Sequence, residues 1–298
     1  MIKITENIIQ IKLKQGKNHP DVNVYVLLKE KVLIDIGPKS VNTLNLLKKE
    51  LASLGLSFET LNLIILTHHH VDHVGLLEYL PSGLRIVGPD HLDFYSSDIY
   101  KKSIQKLLVD DDLSIEFKND IEKQLTTEII PSINRKNYVP FSESKKILQQ
   151  FGLTAVELSG HSSEDIVITD SENNCFTGDI IIPKIFFNCI YEVDKVRPKH
   201  QRWSYYHELN FLDSLVNLVL PGHGDILKLE ELKKAVLVNR KRMKRTEKKI
   251  IRELNKETVN GVENVCRNVF QSFLPYSKFL PFSEVVSVIE SNDERINY

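Results

Sequence analysis

The chain has 298 residues, 42% of them hydrophobic and 27% charged, and a formal net charge of −1. That is the composition of an ordinary soluble globular protein, long enough to bury a large core in one domain or two, and its net charge points to no partner. No apolar run approaches the roughly 18–20 residues a membrane span needs, and the N-terminus carries an early acid, Glu6, without the apolar stretch of a secretion signal. The cytoplasm is the expected compartment, and no membrane partner is expected. Cys175, Cys189 and Cys266 are widely spaced, with no Cys-x-x-Cys pair, and read as ordinary thiols.

The first third alternates strand and turn. Ile9, Ile11 and Leu13 alternate with polar neighbours as a half-buried strand does. Asn23–Leu28 and Val32–Ile36 are two further strand-like runs, ending at the breaker Asp35-Ile36-Gly37-Pro38. Leu44, Leu47 and Leu51 recur at near-helical spacing and stop near Gly55. Leu61–Leu66 reads as a buried strand, Val74–Leu80 as a helix, and Leu84–Val87 as a short strand. Residues 90–150 carry many charges and few strand signals, which predicts a mostly helical insertion. Strand texture returns at Thr154–Leu158, Ile166–Thr169, Cys175–Thr177 and Val216–Leu220. From Leu227 the pattern is helical almost to the end. Residues 1–226 are therefore expected to form the main domain, and 227–298 a helical extension, whose last part, 257–298, could be winged-helix-like or a lid.

Between the strand 61–66 and the following helix lies Thr67-His68-His69-His70-Val71-Asp72-His73. His68, His70, Asp72 and His73 fall at a strand-to-helix turn, where several side chains can aim at one point. Three later apolar runs each end in glycine followed by one more potential ligand: Gly160-His161, Gly178-Asp179 and Gly222-His223. A strand end mounts a ligand rigidly, and the glycine lets the backbone turn without steric cost. Five imidazoles and two carboxylates suit zinc or another borderline divalent ion. Seven ligands exceed one tetrahedral ion and fit two ions sharing a carboxylate, an arrangement that can hold a bridging hydroxide near neutral pH. His69 is expected to face away from this site. His19, His91, His200 and His207 lack the strand-glycine context.

These motifs, in this order from about residue 23 to 224, resemble the metallo-β-lactamase superfamily of hydrolases, and Asp35-Ile36-Gly37 resembles its early Asp-x-Gly turn. The resemblance implies an α/β fold of the αββα four-layer type. It assigns His68, His70 and His161 to one metal, and Asp72, His73 and His223 to the other, with Asp179 bridging. Asp72 would also orient the hydroxide and help move its proton. Zinc is the expected metal; iron and manganese suit the same ligands. The Pro-Gly-His-Gly ending and the helical C-terminus look like the glyoxalase II-like and lactamase-B2-like branch. The last ligand's context departs from glyoxalase II itself, which argues against a glutathione thioester.

Because the superfamily spans many reactions, the fold leaves the substrate open. The apolar and aromatic stretch 180–206 suits an acyl group, so a thioester or related acyl ester is the expected small-molecule substrate. Phe186, Tyr191 and His207 are the candidate contacts. An RNA nuclease is the alternative, since Lys233–Arg252 holds ten Lys or Arg and one acid, Glu247, for a local charge of +9. A signalling effector with a structural metal site is a third.

Overall fold

The computed structural model describes residues 1–15, 19–107, 113–127, 129–130, 135–184, 189–192, 205, 216–256 and 261–296. Among these, one sheet runs in the order of the chain: β1 (Ile2–Lys3), β2 (Ile8–Leu13), β3 (Val22–Leu27), β4 (Val32–Ile34), β5 (Leu63–Ile65), β6 (Ile86–Gly88) and β7 (Tyr138–Pro140). Its first four strands are antiparallel neighbours, and β4 to β7 are parallel. The second sheet has the order β12-β11-β10-β9-β8, built from β8 (Thr154–Leu158), β9 (Asp165–Thr169), β10 (Asn174–Gly178), β11 (Leu218–Pro221) and β12 (Leu227–Lys228).

The two-residue alternation of strand side chains decides the layering. Tyr25, Leu27, Val32, Ile34, Leu63 and Ile65 point from the first sheet into a core shared with Ile166, Ile168, Phe176 and Leu220 of the second. Their neighbours Val24, Val26, Leu33 and Ile64 point the other way, onto α1 (Val41–Ser53) through its buried Leu44, Leu47 and Leu51. Each such aliphatic side chain contributes about 1.5–3 kcal/mol on burial. The outer face of the second sheet, Val167, Cys175 and Val219, is covered by Leu232, Val236 and Met243. The layers are thus helix, sheet, sheet, helix, the αββα arrangement expected.

Two local expectations differ. The helix after β5 begins within the ligand run, as the single turn α2 (Val71–Val74), and is followed by a 3₁₀ turn at Leu77–Tyr79 rather than by a continuous helix. Residues 90–150 do hold helices, α3 (Asp98–Leu107), α4 (Ile115–Thr127) and α5 (Lys145–Gln150), but β7 lies among them and extends the first sheet. Three half-buried residues are too short a run to show a strand period, which is why the pattern hid it.

The C-terminal residues form α6 (Leu229–Leu254), α7 (Gly261–Phe270) and α8 (Phe279–Ile296). Long α6 joins both helical layers: Leu232, Val236 and Met243 lie against the second sheet, whereas Ile250 lies in the core on the first sheet's outer face. Val265, Cys266, Phe270, Phe279, Phe282 and Val285 share that same core with Phe117, Ile121 and Leu125 of α4. All three cysteines are buried free thiols. Among the described residues no helix is long and apolar enough to cross a membrane.

Candidate metal centre

The residues between β5 and α2 lie at one edge of the two sheets, where loops from both meet. Leu66 N–H donates to Val87 O, and Ile166 N–H of the second sheet donates to Thr67 O. The segment bearing His223 is tied back to the first sheet: Asn23 N–H donates to Gly222 O at 2.7 Å, and the Asn23 amide and Tyr25 hydroxyl donate to Pro221 O. His161 follows β8, Asp179 follows β10 and His223 follows β11, so three strand ends of one sheet face the β5–α2 turn of the other.

Glycine is required twice. Gly178 has φ +48°, and a Cβ there would fall 2.7 Å from Thr67 Oγ1. At Gly222 a Cβ would fall 2.3 Å from Asp179 Oδ1 and 2.6 Å from the His73 ring. The backbone can pass this close to the site only without a side chain.

All seven predicted residues converge. His68, His70 and His161 form one group whose candidate ligand atoms all lie within 4.8 Å of one another; Asp72, His73 and His223 form a second, and His68, His73 and Asp179 a third. His70 Nδ1 is 3.0 Å from His161 Nε2. Asp179 touches both sides: Oδ2 is 3.6 Å from His161 Nε2 and 3.3 Å from His223 Nε2, and Oδ1 is 3.6 Å from His73 Nε2. Asp72 Oδ2 lies 3.2 Å from His223 Nε2. Ligands about 2.0–2.2 Å from a common tetrahedral ion lie about 3.3 Å apart, which is the scale of these separations.

Hydrogen bonds on the outside of the cluster set which nitrogen faces in. Asp35, buried at φ +59°, accepts from Thr67 N–H and Thr67 Oγ1–H at 2.8 Å each, and from His73 Nδ1 at 2.8 Å. The Thr67 hydroxyl proton is therefore committed to Asp35, and Thr67 Oγ1 can only accept from His68 Nδ1, 3.0 Å away. His223 Nδ1 donates to Asp21 O at 2.9 Å. With Nδ1–H spent outward, His68, His73 and His223 in their neutral form each aim the Nε2 lone pair inward, the tautomer a divalent ion needs. Of the buried atoms, His68 Nε2, His73 Nε2 and Asp179 Oδ1 have no hydrogen-bond partner. Buried polar atoms left unpaired are costly; a cation among them would satisfy all three, so the residues fit the group.

Charge in the metal-free site is divided. Burial pushes His70 down to about 3, with the neighbouring His161 adding to it, and burial also holds His68 well below its ordinary value. For His223 burial acts downward, but Asp179 and Asp72 outweigh it and raise the imidazole to about 10. His73 is likewise held well above its ordinary value against burial, by Asp179, Asp72 and Asp35. Burial opposes ionisation of Asp72 and Asp179, yet the imidazoles beside them keep both carboxyls below the usual range. One half of the cluster is neutral imidazole and the other an imidazolium–carboxylate lattice.

The structure adds residues that the spacing of ligands did not single out. Gln15 Nε2 donates to Asp72 Oδ2 at 2.7 Å, and Asp72 is the most exposed of the seven, with 22% of its side chain accessible. His69 turns away, as expected, but into a built layer: its ring stacks on Tyr95 with centroids 3.5 Å apart, and its Nε2 lies 3.6 Å from Glu192. Glu192 in turn accepts from Ser163 N–H and Tyr95 O–H. Of the candidate substrate contacts, Phe186 and His207 lie outside the described residues. Tyr191 packs edge-on against Phe282 of α8 with centroids 6.0 Å apart. Ile180 and Ile181, from the apolar stretch expected to line a pocket, pack in the core beneath α6 with Leu232 and Val236. His91 pairs with the fully buried Glu164 at 2.6 Å.

A sequence profile of the metallo-beta-lactamase superfamily matches residues 20–223, a span that includes every residue of the cluster. The chain belongs to the metallo-beta-lactamase superfamily. A protein of Bacillus subtilis strain 168 described as the probable metallo-hydrolase YqjP is 26% identical, over 99% of this chain and 95% of its own length. Two solved superfamily-type structures resemble the fold over nearly the whole chain, C-terminal helices included. A metallo-beta-lactamase family protein from Thermus thermophilus matches with a TM-score of 0.75 at 17% identity, covering 98% of this chain and 95% of that one. A beta-lactamase domain protein from Burkholderia ambifaria matches with a TM-score of 0.72 at 15% identity, covering 97% and 86%.

Proposed function

We propose that the protein is a dinuclear metal-dependent hydrolase of a thioester or related acyl ester. The observation that carries this is the pair of ligand groups joined by Asp179, with inward-facing buried nitrogens that no protein atom satisfies. His68, His70 and His161 would hold one ion, Asp72, His73 and His223 the other, with Asp179 shared. Bound divalent ions, zinc by the donor set and iron or manganese by the same ligands, supply a nucleophile from water near neutral pH and polarise a carbonyl.

The remaining work falls to the chain. Asp35 and Thr67 hold His68 and His73 in the ligating tautomer, and Asp21 O does so for His223. Asp72 is the ligating carboxylate that solvent reaches, and Gln15 fixes its rotation, which suits it to take a proton from the attacking water and pass it outward. Ile190 N–H donates to His161 O at 3.0 Å, which ties the apolar and aromatic stretch 180–206 to the site and supports an acyl group as the substrate's recognised part.

A panel of acyl-CoA and simple acyl thioesters, lactones and an activated phosphodiester, assayed on one metal-replete preparation, tests this. Thioester or ester turnover is expected, abolished in His70→Ala and reduced about 10²–10⁴-fold in kcat in Asp72→Asn. No acyl turnover, or turnover unchanged in His70→Ala, contradicts it.

A further inference from the structure

Outside the metal centre, one face of α6 gathers a row of cations. Lys241, Lys244, Arg245, Lys248, Lys249 and Arg252 are all exposed and together line a shallow groove of about 500 Å³. Each member has another three or four residues away, about 5–6 Å distant, Lys244/Arg245 and Lys248/Lys249 being chain neighbours, and the row extends about 16 Å along the helix. Arg252 has Glu253 beside it. The other five make no ion pair or hydrogen bond with any described residue. Arg240 and Arg242, by contrast, are half-buried and engaged within the protein, so they do not belong to the row. The segment Lys233–Arg252 carries +9 in a chain whose net charge is −1, so the remainder is strongly acidic and the positive field is confined to this ridge. Like charges held this close repel at a cost of a few tenths of a kcal/mol per pair on a helix surface. A helix formed from leucine, alanine and glutamine on the same face would avoid that repulsion, so the row calls for an anionic occupant.

We infer that this ridge docks the phosphate backbone of a nucleic acid, without reading its bases. Three features favour that occupant. The ridge is a band of cations with no apolar or aromatic side chain among its described lining residues, whereas a protein-binding patch is expected to have an apolar core. Leu232, Val236, Met243 and Ile250 of α6 are buried in the fold, and the exposed apolar side chains left on it, Leu237, Val238 and Leu254, are too few to make the broad apolar face that a lipid surface takes up. The spacing of the charges along the helix suits the array of phosphates, to which lysine and arginine bind irrespective of sequence. The ridge begins about 18 Å along the axis from the start of α6, which itself follows His223 closely in the chain. None of its residues belongs to the ligand cluster, so it acts as a tether, and it stands independently of which acyl substrate that centre takes.

The test is fluorescence anisotropy of a labelled single-stranded RNA of about 20 nucleotides, titrated with full-length protein at several salt concentrations. Five or six phosphate contacts predict that log K falls with log salt at a slope of about −3.5 to −4, irrespective of sequence. Lys244→Glu/Lys248→Glu is expected to weaken binding at least tenfold and flatten the slope by more than one. Lys48→Glu/Lys49→Glu on α1, exposed and of equal charge change, is expected to leave binding nearly intact. Circular dichroism melting verifies that both variants fold. No RNA binding overturns the inference, as does equal loss in the two double variants. Binding to phosphatidylserine vesicles in the absence of RNA binding overturns it in favour of a membrane surface.

Discussion

Asp35 shows how one residue can govern a site it does not enter. Its carboxylate receives both Thr67 donors and His73 Nδ1, and through Thr67 it also fixes His68. Its left-handed backbone, φ +59°, is a conformation asparagine and aspartate tolerate better than most residues. In Asp35→Ala the Thr67 amide and the His73 ring are left buried without an acceptor, at about 1–3 kcal/mol each. Metal-free protein should lose about 3 kcal/mol in urea denaturation, and metal affinity should fall about 10–100-fold. His73 and His223, held up by the carboxylates, set a pH dependence of the opposite kind from the buried neutral His68 and His70. His73 and His223 are raised, so in the metal-free fold their charge contributes stability fully present below about pH 6.5 and lost as pH climbs toward about 10 for His223. Ligation requires them neutral, so ion uptake at pH 7 should release protons, and affinity should weaken as pH falls. Calorimetric titration in two buffers of different ionisation enthalpy measures this; no proton release would contradict the charge division. The seven clustered residues themselves were readable because each follows an apolar strand, often with an intervening glycine. Their supports were not. Gln15 meets Asp72 across 57 residues, and Glu192 reaches Tyr95 across 97, with no local pattern to announce either contact.

At the scale of elements, the C-terminal helices are joined to the helices of residues 98–127 by specific polar ties as well as by core. Asp120 of α4 accepts from Lys278 N–H at 2.7 Å and Phe279 N–H at 3.3 Å, capping the start of α8 from another helix. Glu263 of α7 accepts from Ser114 N–H and Oγ–H, and from Arg267. Asp120→Ala should lower stability by about 0.5–2 kcal/mol, the ordinary worth of a lost cap, with the loss read from the urea midpoint at unchanged slope. Such ties are why the hydrophobic period of α4 and of 261–296 could be seen while their mutual packing could not: periodicity gives a face and leaves its partner open. Four strands of the second sheet were legible as apolar runs at nearly their observed bounds, whereas the two-residue β12 falls where the pattern from Leu227 read as helix. The short β7 and the one-turn α2 were not, because three or four residues hold no period and α2 is made of the ligands themselves.

At the scale of the whole molecule, the proposed ion pair sits where the two sheets are pinned together. The first sheet and its β5–α2 turn contribute His68, His70, Asp72 and His73; the second contributes His161, Asp179 and His223. Ions held there would bind the folded chain and not the separated strands, stabilising the junction by mass action. The seven-ligand arrangement could be anticipated because chain order and sheet order nearly coincide in this fold, so strand ends far apart in sequence arrive at one edge. What controls access to that edge involves contacts between distant side chains that are ordinary one by one. Elemental analysis of metal-replete protein after gel filtration, with His223→Ala and Asp179→Ala alongside, is the most direct measurement. About two divalent ions per wild-type chain, with substoichiometric loading in both variants, is the predicted result; one ion or none in the wild type, or unchanged loading in the variants, would contradict a dinuclear centre built on these residues.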